Sequence, residues 1–460
     1  MSLLNALHTG VTGMRVATTG TAVVGHNVAN STTPGYTKRG VRVQTADPVD
    51  RYGVAFGQGA RTSEVKRIAN DLVNKRLALS TGRESEASSR YLALSSVENT
   101  FDATSGASLS NLLDDYFDDL NSLTADPSDR SRRQEMLVSA DRLARGFNEA
   151  ADSLTATGDA IYEELDQAMI EVQRQLDEVA DLNRLIGSST TGLGRADFQD
   201  QRDQLIYELA GTIGVTAQFQ ADGQATLLIE GHAVVSGPNA RSLSLTQYPG
   251  GLPKVELSTD SGVVDVTTQL GGRFGGLLTA STQADAYLTD LNTWVDTFVT
   301  ETNTQHALGF DAAGVAGGDM FTVTVGAEAS TFAVDLALAA DPDLFAAAAA
   351  ATAAAGDGGN LAQLIDQEGS QLFSGATRTA GDALADIYAR VGRDVSRAQL
   401  ESDRYGVELS DIDALRESIS GVDLDEEASN LMAWQASYEA CARVITTTND
   451  LLGVLIGLGA

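Results

Sequence analysis

The fold is decided by the last forty residues of the chain, 421–460, which read GVDLDEEASNLMAWQASYEACARVITTTNDLLGVLIGLGA. Asp423 is placed to cap a helix, and Glu426, three positions later, can close a capping box. Alternating spacings of four and three residues then run through Leu424, Ala428, Leu431, Gln435, Tyr438, Ala442, Ile445, Asn449, Leu452 and Ile456. This spacing predicts one long helix with a coiled-coil seam, in which the two polar positions can fix the register.

This terminal helix carries little charge. After Glu427 its only charged residues are Glu439, Arg443 and Asp450. A solvated helix face normally carries more charge, which favours a seam that is covered by another segment or subunit. The alternative interpretation is an amphipathic helix that closes its own domain.

A second helix of the same kind is predicted at the other end of the chain. Apolar side chains recur at Leu4, Leu7, Val11 and Met14, and Val24 and Val28 continue this face. Arg15 is the only Lys, Arg, Asp or Glu in residues 1–30. Four glycines in this segment each weaken a helix by roughly 1 kcal/mol relative to alanine, so it should be helical mainly when packed. Two such terminal helices, paired as a coiled coil, suggest an assembly protein.

Length and charge exclude several classes of protein. With 460 residues, several domains and a substantial core are expected. The net charge of −32 argues against nucleic acid or an anionic membrane as a partner. Cys441 is the only cysteine, so no intramolecular disulfide is possible. The apolar run 451–460 is too short to span a bilayer, and no cleaved signal peptide is expected at the N-terminus.

Helical spacing fills most of the chain between its ends. It resumes near Ser63, and a short amphipathic helix is expected over 109–123. The strongest periodicity runs from Ala140 to Ile186, where a continuous helix would be roughly 70 Å long. The pair Thr157-Gly158 allows a bend or an interruption there. A rod-like helical body is therefore predicted from residues 59–213, 272–308 and 357–419.

Two stretches, 214–271 and 309–356, are expected to form a small, outward, β-rich inserted domain. In the first, Asp222-Gly223 is a hairpin signal between short alternating runs. In the second, strands are expected over 321–325 and 331–334, and a helix start at Asp341-Pro342, followed by a helix-favouring alanine run, 346–355. The predicted fold is mainly α with a β-rich insertion, and residues 1–58 and 420–460 form its terminal core domain.

No catalytic chemistry is indicated. The sequence contains no G-x-G-x-x-G, P-loop, G-x-S-x-G or H-E-x-x-H motif. The four histidines are scattered, and Asp114, Asp115, Asp118 and Asp119 lie on the polar side of a helix without the spacing of a calcium loop. The sequence thus predicts no catalytic, cofactor-binding or metal-binding residue. An enzyme assembled from distant residues is the remaining alternative.

A basic segment stands out in this acidic chain. Between Lys38 and Arg76 lie nine basic residues against four acidic ones. Such a segment can bind an acidic neighbouring subunit, or it can be ordinary solvated surface. The sequence leaves both interpretations open.

Several motifs resemble one protein family. Residues 29–39, ANSTTPGYTKR, resemble the signature loop of the bacterial flagellar rod, hook and hook-associated axial proteins. Their C-terminal motif resembles Leu424–Ala428 together with Tyr438, Ala442, Val444 and Ile445. Within that superfamily the chain is most similar to the hook-associated protein 1 family. Further segments that resemble this family are 181–183, 197–205, 231–237 and 271–278.

The resemblance implies a structural subunit, not an enzyme, that forms the junction between hook and filament. Implied partners are further copies of the chain, the flagellar hook protein, the second junction protein, the filament cap during assembly and an export chaperone. It also implies type III export, with uncleaved N-terminal information, to the extracellular flagellum, without cofactor, nucleic acid or membrane insertion. The alternative within the superfamily is a hook or rod subunit. The expected assembly interface comprises Leu4, Leu7, Val11, Met14, Asn30, Pro34, Gly35, Tyr36, Leu424, Ala428, Leu431, Tyr438, Ile445 and Leu452.

Overall fold

The computed structural model of the chain describes residues 3–51, 54–98, 101, 108–188, 193–247, 251–352 and 356–458. The helices are α1 (Leu3–Ala29), α2 (Asp71–Glu98), α3 (Leu109–Leu123), α4 (Arg130–Ser188), α5 (Leu193–Ile213), α6 (Gly272–Leu308), α7 (Glu328–Thr331), α8 (Leu336–Ala340), α9 (Gly359–Asp366), α10 (Ala380–Ser420) and α11 (Leu424–Leu458). The mainly α fold expected from the sequence is confirmed.

The strands are short and form several small sheets. They are β1 (Arg39–Thr45), β2 (Val49–Arg51), β3 (Val54–Phe56), β4 (Ala60–Arg67), β5 (Thr216–Phe219), β6 (Ala225–Ile229), β7 (His232–Ser236), β8 (Asn239–Ala240), β9 (Leu243–Thr246), β10 (Lys254–Thr259), β11 (Gly262–Asp265), β12 (Phe321–Thr322) and β13 (Ala333–Val334). In each paired set described, neighbouring strands are antiparallel.

The terminal unit consists of α1, α11 and the β1–β4 strand pair. Helix α11 begins as predicted, because the Asp423 carboxylate accepts the backbone N–H groups of Asp425 (2.8 Å) and Glu426 (3.2 Å). The side chain of Glu426 does not close the capping box. It pairs with Lys38 instead, at 2.9 Å.

The helix expected from Ser63 begins later. Residues 60–67 form β4, which pairs with β1 and belongs to the terminal unit. Helix α2 starts at Asp71 because the Asn70 side chain accepts the N–H groups of Leu72 and Val73. The expected boundary of the terminal domain at 58/59 therefore moves to the turn at 68–70.

The helical body is built along α4. This helix has 59 residues and would be about 90 Å long at 1.5 Å per residue. It continues without a break through Gly158, where the sequence allowed an interruption. Helices α3, α5 and α6 pack against α4, and α2 packs against α6 and α10. At the centre, Trp294 stacks between Phe147 and Phe298, with ring centroids 4.6 and 5.0 Å away.

The β strands β5–β11 cover the C-terminal part of α4. Strands β5–β8 form one sheet and β9–β11 another. The expected hairpin at Asp222-Gly223 joins β5 to β6. The buried Asn183 of α4 donates to the carbonyls of Ala225 (2.7 Å) and Gly237 (2.9 Å), so one amide fixes the strands to the rod.

The β-rich character expected for 309–356 is not found in the described part of that stretch. Its named strands, β12 and β13, have two residues each, Asp341-Pro342 opens a 3-10 turn, and residues 346–352 form no helix. The reason is tertiary packing. Phe321, Phe332 and Phe345 are at most 1% exposed and lie in the body's core. This stretch is therefore part of the helical body.

Candidate assembly site

The two ends of the chain meet in an antiparallel pair of helices, α1 and α11. A Cβ atom added to Gly20 would lie 2.3 Å from Cδ2 of Trp434, and one added to Gly10 would lie 2.8 Å from Cγ1 of Ile445. At Gly13 the same atom would lie 2.6 Å from the sulfur of Cys441. The glycines thus allow close approach of the two helices, and large side chains of α11 occupy the space that α1 leaves.

The face of α1 that contacts α11 is shifted by one residue from the apolar positions Leu4, Leu7, Val11 and Met14 expected from the sequence. The side of α1 that faces α11 carries Gly10, Gly13, Ala17, Gly20, Val24 and Asn27, and all of these except Gly13 are buried. Leu7, Val11 and Met14 are half-buried beside this face, and Leu4 is 66% exposed. Small residues form the contact between α1 and α11, because bulky side chains there would hold the two helices apart.

On α11, the residues expected to form the seam fall into two groups, one half-buried and one exposed. Leu431, Ile445 and Leu452 are half-buried, whereas Ala428 is exposed and Leu424 and Tyr438 are 55% and 43% exposed. The exposed apolar side chains of this helix, called the outer face below, are Leu424, Met432, Tyr438, Val444, Leu451, Val454, Leu455, Ile456 and Leu458. Apolar side chains around much of α11 therefore remain uncovered when the helix packs on α1.

The signature loop folds as a tight turn beneath α1. The N–H of Tyr36 donates to the carbonyl of Thr33 (3.2 Å), and Gly35 has φ +76°, as a type II turn with Pro34 before it requires. Pro34 is exposed and Gly35 half-buried. The Asn30 side chain donates to the carbonyl of His26 (2.9 Å), which satisfies the end of the helix.

The buried Asn27, which the sequence did not single out, joins both ends of the chain. Its amide nitrogen donates to the carbonyl of Arg39 (3.0 Å) and to Glu427 (3.1 Å). Its oxygen accepts the N–H of Arg39 (3.0 Å) and the hydroxyl of Tyr36 (2.7 Å). One side chain thus holds α1, the loop and the start of α11 together.

An ion-pair cluster connects the terminal unit to the body. Arg39 and Arg67 are cross-strand partners in β1 and β4. Arg39 reaches Asp197 (2.5 Å) and Asp200 (3.2 Å) of α5, and Arg67 reaches Asp200 (2.8 Å) and Asp203 (2.7 Å). The three carboxylates are spaced by three residues and lie along one side of α5.

These contacts give the basic segment a structural role within the chain, which neither interpretation of the sequence included. Arg39 has a fully buried side chain and Lys38 pairs with Glu426, so both act within the chain. Arg42 is mostly exposed and pairs with Glu64 at 3.4 Å. A variant in which the charges of Lys38, Arg39 and Arg42 are all reversed would therefore lose contacts within the chain, and its fold would be damaged.

Burial shifts several pKa values in this region. It raises the pKa of Tyr36 to about 12 and that of the Asp200 carboxyl, against the lowering effect of nearby arginines. Burial alone would lower the pKa of Arg67, but Asp203 and Asp200 outweigh it. The cluster thus holds fixed charges between two structural units. Among the described residues, no three His, Cys, Asp or Glu side chains are grouped to hold a metal ion.

The outer face also makes α11 apolar enough to cross a membrane by length and composition. The stretch Ala380–Leu458, which contains α10 and α11, includes an apolar segment of that length that is almost entirely exposed. One such helix is weak evidence for a membrane span. The same surface suits packing against protein helices.

Comparison with known proteins gives consistent results. A family described as "Flagellar hook-associated protein FlgK helical domain" matches residues 94–321, and "Flagellar basal body rod FlgEFG protein C-terminal" matches 416–458. Flagellar hook-associated protein 1 of Escherichia coli (strain K12) is 23% identical over 98% of this chain and 99% of its own. The Bacillus subtilis (strain 168) protein of that name is 25% identical over 94% of both chains.

A solved structure shares the fold. The flagellar hook junction protein FlgK from Burkholderia pseudomallei aligns with a TM-score of 0.67 and 15% identity, over 75% of this chain and 100% of its own.

Proposed function

Because this chain belongs to the flagellar hook-associated protein 1 family, we propose that it is a structural subunit forming the junction between the hook and the filament of a bacterial flagellum. It is not an enzyme. The observation that carries this function is the α1–α11 pair. One side of α11 packs within the chain, and its outer face is left for other subunits.

The register of the pair supports assembly through the outer face. Gly10 lies opposite Ile445 and Gly13 opposite Cys441, so the described start of α1 lies near Leu452. The last described residues of α11, 453–458, therefore lie beyond the level of Leu3, and Ile456 and Leu458 are 72% and 80% exposed. Burial of a large apolar side chain contributes about 1.5–3 kcal/mol, so neighbouring copies that cover this end gain substantial free energy.

Within such an assembly, the terminal unit faces the axis and the body projects away from it. The interface residues of α1 and α11 expected from the sequence then divide between two roles. Leu431, Ile445 and Leu452 close the helix pair within one subunit. Leu4, Leu424 and Tyr438 contact neighbouring subunits, and strands β5–β11 lie on the outside. The loop at 30–36 supports both, because Tyr36 bonds to Asn27, which also binds Arg39 of β1 and Glu427 at the start of α11.

The partners follow from this position in the flagellum. The hook protein lies on one side of the junction and the second junction protein on the other, with the filament cap present during assembly. Before assembly, an export chaperone covers the outer face of α11, and the chain leaves the cell through the flagellar type III apparatus without cleavage. The uncovered apolar side chains of α11 support this order, because they need protection until neighbours cover them.

A hook or rod subunit is the second candidate, because residues 416–458 match a C-terminal segment named for basal body rod proteins. The match of residues 94–321 to a hook-associated helical domain favours the junction.

The test is binding of the purified chain to isolated hooks, measured by co-sedimentation and by cross-linking. We expect the chain to bind at one end of the hook and to cross-link to hook protein through α1 or α11. Binding along the whole hook would instead indicate a hook subunit, and absence of binding would contradict a junction role.

A further inference from the structure

Two exposed stripes of opposite charge lie on neighbouring helices of the body. The basic stripe is Leu72, Lys75, Arg76 and Leu79 near the start of α2. Leu72 and Leu79 are 68% and 46% exposed, and both cations between them are exposed. Within the described part of the chain, neither Lys75 nor Arg76 has a carboxylate within 4.0 Å. Their spacing places all four on one side of α2.

The acidic stripe is Leu400, Asp403, Val407 and Asp411 on α10. Leu400 and Val407 are 68% and 65% exposed, and both carboxylates are exposed. No basic group of the described residues lies within 4.0 Å of Asp403 or Asp411. Each stripe thus combines two exposed aliphatic side chains with two unpaired charges, and the charges of the two stripes are opposite in sign.

The stripes cannot neutralise each other within one chain. Helices α2 and α10 already pack antiparallel through other residues, since Ser80 donates to Glu408 (3.4 Å) and Arg90 pairs with Glu401. Each helix is fixed in the body, so its stripe points outward. Among the described residues, these four charges therefore have no ion-pair partner in their own chain.

We propose that the basic stripe on α2 of one copy binds the acidic stripe on α10 of a second copy. The contact presupposes the proposed function, because it joins subunits of one assembly. Charge complementarity favours a second copy, since every copy carries both stripes. When the two stripes of one copy bind two different copies, the contact is heterologous and propagates from copy to copy into a ring or helical array. It also gives the body an interface separate from the outer face of α11.

The test uses two charge-reversed full-length chains, Lys75→Glu/Arg76→Glu and Asp403→Lys/Asp411→Lys. In each, like charges meet at the contact, and we expect association in sedimentation velocity to weaken at least about tenfold relative to the unmodified chain. An equimolar mixture of the two restores opposite charges between unlike copies, so association should recover. The recovery should weaken as salt is raised.

A matched control is Arg142→Glu/Arg145→Glu, which changes the net charge as much as the first variant at exposed positions of α4. It should associate like the unmodified chain. The inference is overturned if the charge-reversed chains associate normally, if their mixture does not recover, or if the unmodified chain does not associate. Hook binding by the unmodified chain is measured in parallel, and its loss would count against the junction role instead. A partner other than a second copy would leave the mixture unrestored.

Discussion

Gly20 of α1 lies directly against the indole of Trp434 in α11. A single added Cβ atom would be 2.3 Å from Cδ2 of the ring, well inside van der Waals contact. The glycines that lower the helix propensity of α1 therefore have a packing function. They leave space for the largest side chain of the partner helix, and the free energy of that contact offsets their helix-weakening effect.

Alanine should have opposite effects at two glycines of the same helix. Gly20→Ala should destabilise the α1–α11 pair by roughly 1–3 kcal/mol, because the added methyl overpacks the seam. Gly25→Ala meets no atom within 4 Å and should stabilise α1 by about 0.5–1 kcal/mol. Hydrogen exchange of α1 peptides measures both. Equal protection in the two variants would contradict this packing.

The sequence predicted that the ends pair but placed the α1 contact face one residue away. The hydrophobic periodicity of α1 follows large apolar residues such as Leu4 and Val11, whereas the pair closes on Gly10 and Gly20. Glycine carries no hydrophobic signal, so a seam built from it cannot be found by hydrophobic spacing alone. The long helix over 140–186 was predictable because large apolar residues do line its contacts.

Removal of one member of the ion-pair cluster should be costly. Arg39→Ala removes the buried cation that Asp197 and Asp200 share, while Asp200 keeps Arg67 at 2.8 Å, so we expect a loss of about 1.5–3 kcal/mol. Arg42→Ala is the control, because its side chain is 65% exposed and its loss should change stability by less than about 0.5 kcal/mol. Urea unfolding distinguishes the two. Similar unfolding midpoints for the two variants would show that the ion-pair cluster does not stabilise the connection between the terminal unit and the body.

This cluster could not be derived from the sequence. The basic segment and the carboxylates of α5 lie more than 120 residues apart, since Arg67 bonds to Asp203 across 136 positions. Ion pairs between residues that are far apart in the chain produce no periodic pattern in the sequence. The stretch 309–356 is misleading for a related reason, because its short alternating runs resemble strands, yet its aromatic side chains pack in the body's core.

The Glu427 carboxyl should stabilise the folded terminal unit more in acid than at neutral pH. Burial raises its pKa above the ordinary 4.5, with Glu426 adding to the shift while Asn27 and Lys38 oppose it. The folded state therefore holds the proton more tightly, so this contribution is present below the unfolded pKa and is lost as pH rises through the folded one. Glu427→Gln should raise the unfolding temperature at neutral pH.

That gain should disappear below about pH 4, where the native carboxyl is itself protonated. Glu439→Gln, at an exposed position of α11, should have little effect at either pH. Calorimetric scans at the two pH values provide the measurement, and a pH-independent gain would contradict the assignment.

His306 should have the opposite pH dependence. Burial lowers its pKa below 6.5 and outweighs the raising effect of the Gly318 carbonyl, to which Nδ1–H donates (2.7 Å). The other ring nitrogen, Nε2, accepts the N–H of Ala346 (2.9 Å). The unfolded chain binds the proton first, so stability present above the unfolded pKa is lost as pH falls through the folded one.

His306→Gln should lower the unfolding temperature at neutral pH and flatten its decline between about pH 7 and pH 5. The control is His8→Gln at an exposed position of α1. An unchanged decline in the His306 variant would show that another group controls acid sensitivity.

The most direct test of assembly through the outer face is co-sedimentation of the Met432→Glu/Leu455→Glu chain with isolated hooks. Both side chains are more than half exposed, at 63% and 56%, so the monomer should keep its fold and its helical circular dichroism. We expect this variant to remain in the supernatant, while the control Val263→Glu/Val325→Glu, at exposed positions remote from α11, sediments with the hooks like the unmodified chain. A folded Met432→Glu/Leu455→Glu chain that still sediments with hooks would contradict the account.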